Sequence, residues 1–163
     1  MKDKSEILLN YEIVQSNDTW IVTEKSSNYG RNLNERLFEF AVRIVKFLRS
    51  ISDSPENRII KNQLIKSATS MGANYEEAQG SNSKKDFSNK CAIVFKEARE
   101  TNYWLRLLQA TSAENNKELS FLIEESDELK KIFASIIIKT RPREFWFIFY
   151  QLSFILKKQL FIR

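Results

Sequence analysis

The stretch SMGANYEEAQGSNSKKDFSNKCAIVFKEARETNYWLRLL, residues 70–108, decides the fold of this chain. It contains the end of one helix, a short polar corner and a long second helix. Gly80 is suited to the left-handed conformation that ends many helices. Ser83 is placed to cap the next helix, with Asp86 three residues further on. Because the connection is so short, the two helices must lie antiparallel.

Both helices of this hairpin have a periodic apolar face. The second helix of the chain starts at Ser54-Pro55-Glu56, a capping residue followed by a proline suited to the first helical position, and runs to about Gln79. An interior glycine costs about 1 kcal/mol of helix stability, so Gly72 suggests a place where another backbone comes close. The third helix repeats at strict four-three spacing, through Phe87, Cys91, Val94, Ala98, Thr101, Leu105 and Leu108.

Two more helices flank the hairpin. The first runs from about residue 33 to 51 and has a likewise periodic stripe, with Glu39 and Arg43 as an i,i+4 ion pair. The fourth starts at Asn115, which has N-cap spacing to Glu118, and ends near Thr140. Only three glycines and two prolines interrupt the chain. The sequence therefore predicts an all-α protein, an antiparallel up-down-up-down four-helix bundle over residues 33–140.

Extensions precede and follow this bundle. Residues 1–32 contain two short strand-like runs split by Ser-Asn-Asp, from which we expect a loosely ordered extension or a small surface hairpin, with Trp20 as its anchor. Residues 141–163 form a basic, aromatic tail in which FWFIFYQLSFIL is apolar on all sides. Twelve residues are too few to span a bilayer as a helix. Three placements stay open for the tail: within the fold, between subunits, or in a membrane interface.

Composition restricts the chemistry. The chain has no histidine, and Cys91 is its only cysteine, so the commonest general base, a Cys-based zinc site and an internal disulfide are excluded. No nucleophile elbow, phosphate loop or dinucleotide fingerprint is present. We therefore expect no enzyme, no metal and no cofactor. A cytoplasmic location is the default expectation for such a chain, and the N-terminus has too few apolar residues for a signal peptide.

Net charge is +5: residues 1–30 contribute −2, residues 31–138 contribute only +2, and residues 139–163 contribute +5. Candidate nucleic-acid contacts in the body are therefore local. Lys84, Lys85 and Lys90 lie at the start of the third helix, where backbone amides and the helix dipole favour a phosphate. Arg99 and Arg106, beside Tyr103 and Trp104, form a second candidate surface. The alternative is that the lysines are solvated and that Trp104 packs at a helix or subunit contact.

A polar pair marks the candidate assembly surface. Asn74 and Glu77 fall near the inward stripe of the second helix, next to small residues. Such residues can form a buried hydrogen-bond network that sets register or oligomeric state. A polar site at a subunit junction is the alternative interpretation.

Three motifs resemble one bacterial family. ERLFEFAVRIVKFL in the first helix, SMGANYEEAQGSNSKKDF at the corner and KEARETNYWLRLL in the third helix are similar to the 23S ribosomal RNA intervening-sequence proteins, also called bacterial four-helix bundle proteins. The resemblance covers about residues 33–140. The accessory protein of diversity-generating retroelements, which binds nucleic acid and a reverse transcriptase, is a more distant likeness.

The resemblance implies a homopentameric ring of up-down-up-down bundles with an unsettled molecular function. Together with the residues above, it leads us to expect a non-enzymatic oligomeric scaffold or adaptor that contacts RNA or DNA. The alternative is a structural or protein-interaction module with no nucleic-acid role.

Overall fold

The computed structural model describes residues 11–24, 32–112 and 116–141. Two strands, β1 (Tyr11–Ser16) and β2 (Thr19–Glu24), precede four helices. The helices are α1 (Leu33–Arg49), α2 (Pro55–Gln79), α3 (Lys84–Thr111) and α4 (Lys117–Thr140). Each helix packs on the next along the chain, and α4 returns to α1. The four-helix bundle predicted from the sequence is confirmed.

The bundle core is built from the predicted apolar stripes. All seven residues of the α3 stripe are buried, because four-three spacing keeps one face of a helix toward its neighbours. The largest fully buried side chains come from all four helices: Tyr75, Phe87, Phe133, Leu33, Leu37, Ile44, Leu64, Met71, Leu105, Leu119, Leu122 and Leu129. Tyr75 and Phe133 meet edge to face with ring centroids 5.6 Å apart, which joins α2 directly to α4 across the core.

The N-terminal strands pair as the predicted hairpin. β1 and β2 are antiparallel, and Asn17 and Asp18 both have positive φ at the turn, as a two-residue turn between twisted strands requires. Trp20 is the predicted anchor. Its indole is buried, donates a hydrogen bond from Nε1 to the Ser81 carbonyl over 3.0 Å, and stacks on Phe87 at 5.2 Å. The hairpin is therefore fixed to the corner between α2 and α3.

That corner differs from its prediction in one respect. Ser83 caps α3 as expected, since its hydroxyl accepts a hydrogen bond from the Asp86 amide. Gly80 was expected in the left-handed conformation, but it has φ −82° and ψ 15°. The chain turns here with right-handed geometry, and the Ser81 amide donates to the Ala78 carbonyl at 3.0 Å. A left-handed residue is therefore not needed to end α2.

Three local predictions about helix ends and pairs are wrong. α1 ends at Arg49, two residues before the predicted Ile51. α4 is capped by Asn116, whose side chain accepts hydrogen bonds from two backbone amides, and the predicted cap Asn115 lies outside the described residues. Arg43 pairs with Glu118 of α4 instead of Glu39. Two parallel hydrogen bonds to one carboxylate outcompete a neighbour on the same helix.

Candidate nucleic-acid interface

Lys84 and Lys85 form the first turn of α3, directly after the Ser83 cap. Both lysines are exposed. They lie at the end of a helix 28 residues long, where unpaired amides and the helix dipole favour an anion. The structure thus places this pair at the corner that the sequence predicted.

Lys90 lies apart from that pair. Its Nζ is 3.8 Å from a carboxylate oxygen of Glu77, and it is partly buried on the side of α3 that faces α2. The structure therefore joins two residues that the sequence assigned to different roles, a candidate phosphate contact and an assembly residue. Their charges offset each other, so Lys90 offers less positive charge to a ligand than the two lysines at the corner.

The exposed basic side chains of α3 share one outer face. At about 100° per residue, Arg99 and Arg106 project within about 60° of Lys84 around the helix axis, and Lys96 projects within about 20° of Lys85. The three carboxylates of α3, Asp86, Glu97 and Glu100, lie together on the side toward α2. We call the outer set the basic face of α3: Lys84, Lys85, Lys96, Arg99 and Arg106, all exposed. Positive and negative charges of this helix are therefore segregated.

Two aromatic rings adjoin the basic face. Tyr103 is 52% exposed and contacts Trp104 edge to face, with ring centroids 5.1 Å apart. Trp104 packs against the core cluster, and its Nε1 donates to a carboxylate oxygen of Glu100 over 3.4 Å. Trp104 is thus partly used in packing, whereas the Tyr103 ring is available at the surface.

Arg106 opens onto a polar cleft of about 610 Å³ between α3 and α4. Carboxylates of α4 share this cleft, among them Asp127, whose pKa is lowered by hydrogen bonds from Lys130 and then Lys131. Lys130 also donates to the Asn102 side chain at 3.2 Å. The acidic residues of α4 offset the charge of Arg106, which makes it the weakest member of the basic face.

Within the described chain, the buried polar contacts are made by residues other than Asn74 and Glu77, whose role in assembly stays a prediction. Asn74 is only partly buried and donates to the Ser70 carbonyl of its own helix at 2.8 Å, and Glu77 is exposed. The Thr101 hydroxyl instead meets the Ser67 hydroxyl at 2.9 Å, inside the contact of α2 with α3. A further set joins α3 to α4, where the Asn102 amide donates to the Ser126 hydroxyl over 2.8 Å.

Sequence reasoning missed these pairs, although a signal for them was present. Ser67, Thr101 and Ser126 each occupy a position of an otherwise apolar stripe. A buried hydroxyl needs a hydrogen-bond partner, so polar residues in two facing stripes indicate a contact between them.

Gly72 also has a different environment from the one predicted. A Cβ built on Gly72 would meet nothing within 4 Å, so no other backbone of the described chain approaches it. Gly72 instead lines an open apolar groove of about 510 Å³ between α1 and α2. We call this the α1/α2 groove. Its lining residues are Asn34, Leu37, Phe38, Ala41, Val42, Val45, Lys46, Arg49, Thr69, Gly72, Ala73 and Glu76.

The described part of the chain places its one cysteine in the core. Cys91 is fully buried, and burial raises the pKa of its thiol to about 12, so almost no thiolate forms at neutral pH. Residues 11–24, 32–112 and 116–141 contain no group of three or more histidine, cysteine or acidic residues arranged to hold a metal ion. In those same ranges, no helix has the length and apolar character needed to cross a membrane.

The fold and the composition of its core define a helical bundle protein with an N-terminal hairpin. The family model for 23S rRNA-intervening sequence proteins matches residues 32–135. The chain belongs to that family. It is similar to a crystal structure from Bacteroides thetaiotaomicron, described as a protein of unknown function from the S23 ribosomal protein family. Identity is 37%, the TM-score is 0.59, and the match covers 64% of this chain and 97% of that one. No curated protein matches the chain.

Proposed function

We propose that this protein is a non-enzymatic, homo-oligomeric scaffold or adaptor that contacts RNA or DNA through the basic face of α3. The family to which it belongs has no established activity, so the proposal rests on the surface of this chain. The segregation of charge on α3 is the observation that carries it.

The dimensions of the basic face suit a polyanion. Lys84 and Arg106 are 22 residues apart on one helix, which corresponds to about 33 Å. Lys96 and Arg99 lie between them, and no carboxylate of α3 lies on that face. A nucleic-acid backbone offers phosphates along its whole length, and each contact by lysine or arginine releases counterions. The exposed Tyr103 ring supplies a surface on which an unpaired base can stack.

Assembly would multiply this surface. The resemblance implies five copies, and a ring repeats the basic face once per copy, so that several weak contacts act together. Exposed apolar side chains support association of copies, among them Phe38 in the α1/α2 groove and Ile93 on α3, which are 64% and 45% exposed. Side chains of this size left in water favour contacts between proteins.

A binding titration at two salt concentrations tests the proposal. Purified full-length protein is titrated into labelled structured RNA and into duplex DNA. We expect the affinity to fall steeply as salt rises, because several phosphates lose their contacts with the protein. Reversing both charges in Lys84→Glu/Lys85→Glu should weaken binding at low salt by at least tenfold, and Arg99→Glu should weaken it less.

Lys66→Glu is the matched control, since Lys66 is an exposed lysine on α2 and lies outside the basic face. It changes the net charge of the chain by the same amount as Arg99→Glu. If all charge reversals weaken binding equally, the contact is not made by the basic face. If neither nucleic acid binds at low salt, the nucleic-acid part of the proposal fails.

One observation favours the second candidate, a protein-interaction module with no nucleic-acid role. The α1/α2 groove is apolar over most of its length, and Phe38 lies exposed within it. Grooves of this kind bind apolar helices. A chain that shows no salt-sensitive binding to RNA or DNA but forms a stable oligomer would support this candidate instead.

A further inference from the structure

The α1/α2 groove has opposite charges at its two ends. Glu76 lies at one end, where its carboxylate accepts a hydrogen bond from the Asn34 side chain at 2.5 Å. Lys46 and Arg49, both exposed in the last turn of α1, lie at the other end. From Asn34 to Arg49 the groove is 15 residues of helix long, or about 22 Å. Between these ends it is lined mainly by alanine, valine, leucine and phenylalanine side chains.

The part of the C-terminal tail after Arg141, which lies outside the described residues, has the same order of charges along the chain as α1 has along the groove, acidic first and basic last. Its acidic residue Glu144 precedes the apolar run 145–156, and Lys157 and Lys158 follow directly. Glu144 and Lys157 are 13 residues apart, which a helix would span in about 20 Å. In length, apolar character and terminal charges, the segment 144–158 complements the groove.

We propose that the α1/α2 groove binds the segment 144–158 of a neighbouring copy of this chain. The segment lies as a helix antiparallel to α1, with Glu144 at the Arg49 end and Lys157 at the Glu76 end. The inference rests on the homo-oligomer proposed above and names the segment that links its copies. It resolves the three placements that the sequence leaves open in favour of burial between subunits.

The position of α4 shows why the segment must come from another copy. Phe133 contacts Tyr75, the residue next to Glu76, so Phe133 lies at or beyond the Glu76 end of the groove, away from Arg49. α4 runs antiparallel to α1, as Arg36–Glu125 and Arg43–Glu118 show. From Phe133 it continues eight residues to Arg141, about 12 Å further from the Arg49 end.

A chain of three residues, 142–144, spans at most about 10 Å. It cannot return Glu144 over the roughly 34 Å of helix rise to the Arg49 end of its own groove. The reversed orientation needs a shorter connection, but it would place Glu144 beside Glu76 and the two lysines beside Arg49. Like charges at both ends disfavour it. The neighbouring copy has no such restriction.

Cross-linking between two full-length chains tests the proposal. One chain carries Phe38→Cys in the groove and the other carries Ser153→Cys, which the antiparallel arrangement places opposite Phe38. The two chains are co-expressed, purified together and treated with a bismaleimide. Native Cys91 is fully buried, and the wild-type chain measures any background from it. We expect a two-chain product in high yield.

Ile138→Cys provides the matched control in place of Phe38→Cys, because Ile138 is also an exposed apolar residue, on α4 and outside the groove. It should give at least fivefold less product. Gly72→Leu in the chain with Phe38→Cys should reduce the product similarly, since the Cβ at this position has open space and the rest of the leucine side chain would occupy the groove. Arg49→Glu and Glu144→Arg should each lower the yield, and their combination across the two chains should restore it.

Solution mass of the same samples separates this inference from the proposed function. An oligomer in which Phe38→Cys gives no more product than Ile138→Cys overturns tail docking and leaves the homo-oligomer standing. A monomeric mass overturns the homo-oligomer and, with it, the exchange of tails. An intact oligomer with a groove-specific product that Gly72→Leu abolishes supports both.

Discussion

Helix α2 meets its two neighbours in different ways, although small residues face both of them. Toward α3 the contact is closed, and Ser67 and Thr101 share a hydrogen bond inside it. Toward α1, Gly72 and Ala73 line the open α1/α2 groove. Small side chains permit close approach but do not cause it. What lies opposite decides whether they form a packed contact or the floor of a binding surface.

The largest expected effect comes from comparing two adjacent residues of α2, one on its buried face and one on its exposed face. Leu64 is fully buried, whereas Ile65 is 40% exposed. We expect Leu64→Ala to lower the free energy of unfolding by about 2–5 kcal/mol, because it leaves a cavity in the core. Ile65→Ala should change it by no more than about 0.5 kcal/mol. Denaturant unfolding measures both, and equal losses would contradict the assignment of the two faces.

The polar pair inside the closed contact should show the next largest effect. Thr101→Val removes a buried hydroxyl and with it the hydrogen bond that the Ser67 hydroxyl accepts. This change should lower the free energy of unfolding by about 1–3 kcal/mol. The double variant Ser67→Ala/Thr101→Val removes both groups and should be more stable than the sum of the single losses predicts. A double-mutant cycle by chemical denaturation provides the measurement. Strict additivity would mean that the two hydroxyls do not interact.

Gly72 tests the open side. Gly72→Ala should raise the free energy of unfolding by about 0.5–1 kcal/mol, because alanine favours the helix and its Cβ meets no atom within 4 Å. Gly80→Ala is the control. Gly80 follows the end of α2 at φ −82°, so alanine fits there and gains less. Destabilisation by Gly72→Ala would show that another backbone approaches this position after all, as the sequence predicted.

The smallest effect is expected where α1 meets α4 through ion pairs. A hydrogen bond from Arg43 lowers the pKa of the Glu118 carboxyl from its ordinary value of 4.5. The pair therefore stabilises the fold above that ordinary pKa, and its contribution is lost as pH falls through the lower folded value. Because both side chains are substantially exposed, the contribution is within about 1 kcal/mol.

Glu118→Gln removes the charge and keeps Arg43 over the Phe121 ring. Wild type and variant should differ in stability at pH 7 and converge in strong acid, where Glu118 is protonated. A difference that persists below the folded pKa would assign it to packing instead of charge. Thermal unfolding across this pH range makes the comparison.

The sequence predicted the parts of the fold that depend on periodicity and on local capping. Four-three spacing identified the buried face of α3, and Ser54 and Ser83 cap their helices as expected. The Trp20 anchor was recognisable because a short hairpin cannot bury a large aromatic side chain by itself, so the indole must pack against the rest of the protein. These features depend on one segment at a time, so the segment contains the information.

The side-chain pairings that the sequence did not predict depend on which segments lie opposite each other in the fold. Arg43 was expected to pair with Glu39 and bonds Glu118 instead, a residue 75 positions further along the chain. Asn74 was expected inside a network and bonds its own helix. The predicted lysine cluster at the corner is divided for the same reason. Lys90 faces α2 and pairs with Glu77, whereas Lys84 and Lys85 lie on the basic face. The residue contacts of the candidate site with nucleic acid stay a prediction.

The bond from Trp20 to Ser81 has a consequence for the order of folding. It joins residues 61 positions apart, so it closes a long loop, and its acceptor becomes available only when the corner between α2 and α3 has formed. Local helix contacts form faster than contacts between distant segments. The hairpin should therefore dock after the helical hairpin is in place. Stacking of Trp20 on Phe87 should appear as a late fluorescence change in refolding, slower than the gain of helical circular dichroism.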